Sequence, residues 1–295
     1  MKRIALLGAS GQLGSDLYDV LASSPSYEII AVSRDQLDVE QTESIIPYLE
    51  SLGRIDVLIN CTAFHQTEQC EIDPLKAFKI NSIAVVRMAA YCRQHDALLV
   101  HFSTDYVFDG SKPAPYTEED ATNPLNMYGK SKVAGEQGIA AYLDTYFIFR
   151  VASLFGTAGS SGKGGNFIET MLRLARQNKP ISIVHDVVMS PTHTKDVARA
   201  VKAFLDQGVT QYGIYHCAGR GACSWYDLAV EAISWCGLPC ETIPIRNIEY
   251  PAKCQRPLYS ALDTSKLTQF YPMPSWQDAM NEYLQLKGYV RNGGR

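Results

Sequence analysis

Tyr128 and Lys132 stand four residues apart in Tyr128-Gly129-Lys130-Ser131-Lys132. On a helix that spacing sets both side chains on one face. A tyrosine hydroxyl ordinarily titrates at about 10, so it exchanges protons reluctantly at neutral pH. A lysine cation held beside it favours the phenolate and is expected to draw that value toward the working range. The same ammonium can hydrogen-bond a ribose. Ser103-Thr104-Asp105, at the end of an apolar run, adds a third hydroxyl. Thr104, Tyr128 and Lys132 together would then cage a carbonyl oxygen that gains a proton. The Tyr-x-x-x-Lys spacing recurs at Tyr283–Lys287. That copy sits on the last helix-like segment, away from the strand ends, and is read as structural.

A second group of residues suits a dinucleotide. Gly8-Ala9-Ser10-Gly11-Gln12-Leu13-Gly14 directly follows the apolar run Ile4–Leu7 and opens a helix-like stretch. Glycines there permit a tight turn, close backbone approach to a pyrophosphate, and close helix–strand packing. The helix N-terminus offers unpaired N–H donors to the phosphates. Gly8, Ser10, Gly11, Gln12, Leu13 and Gly14 are the candidate contacts. Gly159–Gly165 repeats the glycine spacing outside a strand–helix junction and is read as a surface loop; a phosphate contact through Lys163 is its other use. At the end of the second strand-like run, Ser33 and Arg34 stand where a carboxylate would select NADH. NADPH is therefore expected, with Asp35 next door keeping NADH open. A solvated loop charge is the alternative for Arg34.

The elements that must hold these residues follow a regular rhythm. Strand-like Ile4–Leu7, Glu28–Val32, Asp56–Asn60, Ala97–Ser103 and Tyr146–Ala152 alternate with helix-like Gln12–Ala22, Thr42–Leu52, Leu75–Gln94 and Tyr128–Tyr142. This predicts an α/β fold, a Rossmann-type doubly wound parallel sheet with its chemistry in the loops beyond the strands. Residues 1–152 read as the dinucleotide-binding domain. Residues 153–295, with helix-like Asn166–Asn178, a Ser224 cap before Trp225–Cys236 and prolines breaking the tail, read as sheet completion plus a smaller substrate-binding region interleaved with the first.

Bulk properties narrow the class. The 295 residues carry a net charge of −4, which gives no electrostatic reason for a nucleic-acid partner or an anionic membrane surface. No apolar stretch approaches the length of a membrane span and no signal peptide is evident, so a cytoplasmic protein is expected. Eight cysteines are scattered without a Cys-x-x-Cys pair, and Cys236-x-x-x-Cys240 lacks a histidine pair at ligand spacing. They read as reduced thiols, and no metal is expected.

With these pieces in place the sequence resembles the extended short-chain dehydrogenase/reductase superfamily and, within it, the dTDP-4-dehydrorhamnose reductase family. The resemblance runs through Gly8–Gly14, Ser103-Thr104-Asp105-Tyr106-Val107-Phe108-Asp109-Gly110 and Asn123-Pro124-Leu125-Asn126-Met127-Tyr128-Gly129-Lys130-Ser131-Lys132. It continues to Asn166-Phe167, Ser190-Pro191-Thr192, Tyr215-His216, Ser224-Trp225-Tyr226, Arg256-Pro257 and Ser260-Ala261-Leu262-Asp263. It implies NADPH-dependent reduction of the 4-keto group of a nucleotide-linked deoxysugar, dTDP-4-dehydro-L-rhamnose giving dTDP-L-rhamnose. Thr104 and Tyr128 would bind the C4 carbonyl oxygen, Tyr128 donating the proton, and Lys132 would hold the ribose. Asp105, Ser153 and Asn166 would fall on the sugar side. Asp38 and Val39 would lie by the adenine, and Thr62, Ala63 and Phe64 along the inner cofactor path. Arg256 would approach the nucleotide diphosphate, an inter-segment salt bridge being its other use. Some relatives dimerise around a magnesium ion held by glutamates; those ligands do not map onto this chain, and a homodimer stays open.

Three departures touch substrate identity. Ser153 replaces a frequent tryptophan, Met189 replaces the usual glycine before Ser190-Pro191-Thr192, and Phe64-His65 replaces a Tyr-Thr or His-Thr pair. Related dehydratases follow the threonine with an acid pair, whereas Thr104-Asp105 here runs into Tyr106, which counts against dehydration. An epimerase on the same frame remains an alternative. So does a regulatory subunit similar to the β subunit of methionine adenosyltransferase.

Overall fold

A strand covered on both faces needs a continuous apolar run rather than alternation. In the computed structural model, which describes residues 1–159, 165–250 and 254–291, β1 (Lys2–Leu7) has this character. Ile4 and Leu6 enter one apolar cluster with Leu13 and Leu17, while Ala5 and Leu7 enter another with Ile45, Leu49 and Met88. One short run thus fixes two layers of helices, one on each side of the sheet.

The chain continues through α1 (Gln12–Ala22), β2 (Tyr27–Val32), α2 (Ile45–Ser51), β3 (Val57–Asn60), α3 (Thr67–Ile72), α4 (Pro74–Phe78) and α5 (Ala84–Gln94). Then come β4 (Leu98–Thr104), α6 (Met127–Tyr142), β5 (Tyr146–Val151), β6 (Leu154–Phe155), α7 (Phe167–Ala175), β7 (Ile181–Val184), β8 (Val188–Met189) and β9 (Thr192–His193). The rest comprises α8 (Thr194–Gln207), β10 (Gly213–His216), β11 (Cys223–Ser224), α9 (Trp225–Trp235), β12 (Thr242–Ile245), α10 (Ser265–Thr268) and α11 (Trp276–Leu286).

Six strands form one parallel sheet in the order β2-β1-β3-β4-β5-β10. From β1 the chain moves outward to β2, then crosses back to β3 and proceeds the other way. The connections diverge between β1 and β3, so a crevice opens beyond their C-terminal ends. Helices α1 and α8 cover one face, with Leu17, Val197 and Val201 in its core; α2, α5 and α6 cover the other, with Ile45, Met88 and Ile139. A second apolar core, with Ile168, Leu172, Ala229, Ile233, Met280 and Leu284, joins α7, α9 and α11.

One element departs from the periodicity. Leu75–Gln94 reads as a single helix, but the structure places five residues of π-helix, Lys79–Ile83, between α4 and α5. The wider turn carries Asn81 to the loop after β3, where its amide donates to Phe64 O at 3.0 Å and accepts from Phe64 N at 2.8 Å. Tertiary hydrogen bonds of this kind are invisible to a hydrophobic period. Among the described residues no helix is long and apolar enough to cross a membrane.

Candidate functional site

The C-terminal ends of β1, β3 and β4 bring most of the sequence-predicted residues to one edge of the sheet. Gly8 turns the chain with a φ of +76°, and a side chain at Gly14 would put its Cβ 2.1 Å from Gly8 O. The loop therefore closes only with small residues. No side chain caps the N-terminus of α1, so its first N–H groups remain available to an anion. Gln12 donates to Leu154 O, while its Oε1 is buried without a partner. This cradle fits a dinucleotide pyrophosphate.

At the end of β2, Ser33 is tied to Gln36 Oε1 through both its N–H and its hydroxyl. Arg34 projects into solvent, its side chain 75% exposed and 3.9 Å from Asp38. Such a long exposed pair holds the guanidinium loosely. Val39 is buried, and Asp38 Oδ1 accepts from Glu40 N. After β3, Thr62 lies against Gly8, and Thr62, Ala63 and Phe64 are all partly exposed.

The β4 end and α6 supply the hydroxyls. Asn126 caps α6 by accepting from Gly129 N at 2.9 Å. Tyr128 lies in the first turn, partly exposed, and Lys132 one turn later with 1% exposure. The helix sits against the turn after β4 so closely that a Cβ on Gly129 would meet Tyr106 O at 2.2 Å. Thr104 lies beside the Tyr128 hydroxyl and donates to Asp105 Oδ1 at 3.0 Å. Asp105 Oδ2 accepts from Ser260 at 2.6 Å, across 155 positions of chain. Burial pushes the Asp105 carboxyl up to about 6 against these hydroxyl bonds.

The electrostatics correct one expectation. Lysine is expected to draw the Tyr128 hydroxyl down, but burial pushes it above its ordinary value, opposed by neighbouring Thr104. Lys132 Nζ instead turns to β4, where it donates to Phe102 O at 2.6 Å and meets His101 Nε2 at 3.1 Å. Burial lowers the Lys132 ammonium to about 8, while Glu136 and Cys61 favour its charge. His101 and Asn60, both buried, extend the contact to Thr62. Asn60, Asn81 and His101 escape a motif reading, and Ser260 falls in a motif that assigns it no role. A polar residue inside an otherwise apolar strand is the one signal for Asn60 and His101.

The sugar-side candidates divide. Ser153 has a φ of +43°, unusual for a residue with a side chain, and is partly exposed beyond β5. Arg256 lines a cleft of about 550 Å³ with Asn123, Leu125 and Gln255. Its Nε is buried without a partner and its tip lies 3.9 Å from Glu68, too long and exposed a pair to hold it. Asn166, expected on the sugar side, is committed elsewhere. Its amide donates to Gly156 O and Tyr283, and its oxygen caps α7 through Glu169 N. A sugar would have to displace one of these bonds. Residues 160–164 of the second glycine loop, Lys163 included, lie outside the described residues.

One set of groups sits apart from this edge. His193, Asp196 and Glu282 offer ligand atoms within 4.8 Å of one another. Arg199 donates to both carboxylates at 2.7–2.8 Å, and Lys195 approaches Glu282 at 3.6 Å. The negative charge there is already matched by protein cations.

A family model described as "RmlD substrate binding domain" matches residues 1–288. The chain is 36% identical to the spore coat polysaccharide biosynthesis protein SpsK of Bacillus subtilis, over 97% of this chain and 98% of that one. It is 34% identical to the dTDP-4-dehydrorhamnose reductase of Aggregatibacter actinomycetemcomitans, over 95% and 97%. A crystal structure of dTDP-4-dehydrorhamnose reductase from Bacillus anthracis in complex with NADP superposes with a TM-score of 0.89 at 32% identity, covering 97% of this chain and 100% of that one.

Proposed function

Because the chain belongs to the dTDP-4-dehydrorhamnose reductase family, whose members are oxidoreductases, we propose that it uses NADPH to reduce the 4-keto group of a nucleotide-linked deoxysugar. The reaction we assign is dTDP-4-dehydro-L-rhamnose to dTDP-L-rhamnose, in the cytoplasm. The observation that carries it is the placement of Tyr128, in the first turn of α6, beside Thr104 at the end of β4, where burial raises its hydroxyl above the ordinary value. A ketone reductase needs an acid there rather than a phenolate.

Gly8, Ser10, Gly11, Gln12, Leu13 and Gly14 would hold the pyrophosphate, Ser33 and Arg34 the 2′-phosphate, and Asp38 and Val39 the adenine. Thr62, Ala63 and Phe64 would line the path to the nicotinamide, with Tyr128 and Lys132 beside its ribose. When bound, that cofactor supplies the hydride. Thr104 and Tyr128 orient the carbonyl oxygen, and Tyr128 gives it the proton as negative charge develops. Lys132, charged, would steady the phenolate left behind. Asp105 orients Thr104, and Arg256, which lines the cleft, would meet the diphosphate. Ser153 leaves room beside the sugar. Residues 1–152 would carry the cofactor and 153–295 the sugar.

Purified protein mixed with NADPH and dTDP-4-dehydro-L-rhamnose should consume NADPH and yield the reduced sugar nucleotide. Tight NADPH binding with no oxidation by any keto sugar nucleotide would sink the assignment.

A further inference from the structure

Lys132, His101 and Asn60 form a buried chain whose hydrogen-bond polarity can be read from its far end. Thr62 N, a backbone group able only to donate, lies 2.9 Å from Asn60 Oδ1, and the Thr62 hydroxyl lies 2.6 Å from the same atom. Asn60 therefore presents its amide nitrogen, a donor, to His101 Nδ1 at 3.1 Å. Nδ1 must accept, so a neutral imidazole carries its proton on Nε2. That N–H points at Lys132 Nζ, 3.1 Å away.

An ammonium has three donors and no lone pair, whereas a neutral amine has one lone pair. Nζ already donates to Phe102 O at 2.6 Å. All three side chains are 1% exposed or less, where a donor facing a donor is costly. The heavy atoms thus describe an amine accepting from His101.

We propose that His101 and Asn60 are positioning residues that hold Lys132 as a neutral amine and admit its charge only through a change of His101 tautomer. On charging, His101 passes its Nε2 proton to Nζ and takes the incoming proton at Nδ1, one proton entering and one moving. The Asn60 amide must then turn to present its oxygen to Nδ1, which sets its nitrogen against Thr62 N–H. That mismatch opposes the charged state. The other charged or titratable groups acting on Lys132 are Cys61 after β3 and Glu136 on α6; Arg150 on β5 holds Glu136 in a two-bond ion pair at 2.7–3.0 Å. The catalytic consequence rests on the proposed reductase, but the polarity does not.

The test is imidazole nitrogen NMR on the full-length chain labelled at histidine, with and without NADPH, as pH is varied. His101 should carry its proton on Nε2 at alkaline pH and on Nδ1 at acid pH, changing near the Lys132 midpoint of about 8. Lys132→Met should abolish the change and leave Nε2–H throughout. Asn60→Asp supplies acceptors to both Thr62 N and His101 Nδ1, so it should hold Nδ1–H at every pH. It should also move the alkaline limb of the kcat/KM profile up by about a unit or more, a tenfold gain in proton affinity. A tautomer that stays unchanged through the Lys132 titration, or that ignores Asn60→Asp, overturns the proposal. If Asn60→Asp does not fold, the wild-type and Lys132→Met spectra decide alone. The spectra need no substrate, so absent turnover would count against the reductase reading and leave this inference standing.

Discussion

The two Tyr-x-x-x-Lys pairs share a spacing and a helical face and differ in everything that surrounds them. Tyr128 meets Thr104, a hydroxyl that can both give and accept, and keeps some exposure to the crevice. Tyr283 is fully buried, donates to Glu169 at 2.6 Å and accepts from Asn166 at 2.9 Å. Tyr289 donates to the same carboxylate at 2.7 Å, and Lys287 lies 3.9 Å from it. A carboxylate holds a phenol's proton bond permanently, so Tyr283 clamps α11 to α7. A hydroxyl neighbour leaves Tyr128 able to give its bond to a ketone. Spacing brings tyrosine and lysine to one face; the element opposite decides whether that face does chemistry.

The hardest test of this distinction is Tyr128→Phe. Loss of a positioned acid should lower kcat roughly 10²- to 10⁴-fold while NADPH affinity changes little. Turnover is read from NADPH consumption and affinity from a binding titration. Retained turnover would erase the difference between the pairs.

The carboxyl behind each phenol offers a second handle. Asp105 is held at about 6 by burial, above its ordinary 3.8. A folded-state value raised in this way means that stability present below about 3.8 is lost as pH climbs through about 6. Asp105→Asn removes that loss. Urea midpoints should show the variant gaining on the wild type by up to about 3 kcal/mol between pH 4 and 7. A difference that does not change with pH would mean that Asp105 is not desolvated, and with it the dry setting claimed for Tyr128.

Much of this contrast is legible in the chain, and the missing part has a physical cause. The β1–α1 glycine loop and the Thr104 strand end are local features, so type and position suffice to find them. The π-helix at Lys79–Ile83 is not local, because Asn81 is turned by partners at Phe64 and Ser131. Nor is Ser260, which reaches Asp105 from the far end of the chain. His101 lies inside an apolar strand, and its meaning depends on Lys132, 31 positions away. The Tyr128 direction fails for a related reason: helical spacing reveals a neighbouring cation but not the desolvation that outweighs it. Asn166, by contrast, was readable as an N-cap from Glu169 three positions on.

Arg34 and Lys287 extend the comparison to exposed cations. Each lies 3.9 Å from a carboxylate, Asp38 in one case and Glu169 in the other. Arg34 stands at the end of β2 beside the dinucleotide crevice, whereas Lys287 follows α11. Arg34→Ala should raise KM for NADPH roughly 10- to 100-fold, about 1.5–3 kcal/mol of charge-assisted hydrogen bonding, and leave KM for NADH nearly unchanged. Lys287→Ala should alter neither. Equal effects on both cofactors would remove Arg34 from the 2′-phosphate.

The smallest effect closes the contrast from the structural side. Tyr283→Phe takes a partner from Asn166 and one of two phenol donors from Glu169. Because Tyr289 still donates to that carboxylate, the loss should lie near the low end for a buried hydrogen bond, about 1–2 kcal/mol. In a chain of this size that lowers Tm by about 2–8 °C. Turnover should stay within about twofold of wild type, since α7 and α11 pack in the second core, away from the Thr104–Tyr128 edge. A fall in kcat as large as that of Tyr128→Phe would show that the clamp also shapes the sugar side, and the division between the two pairs would have to be redrawn.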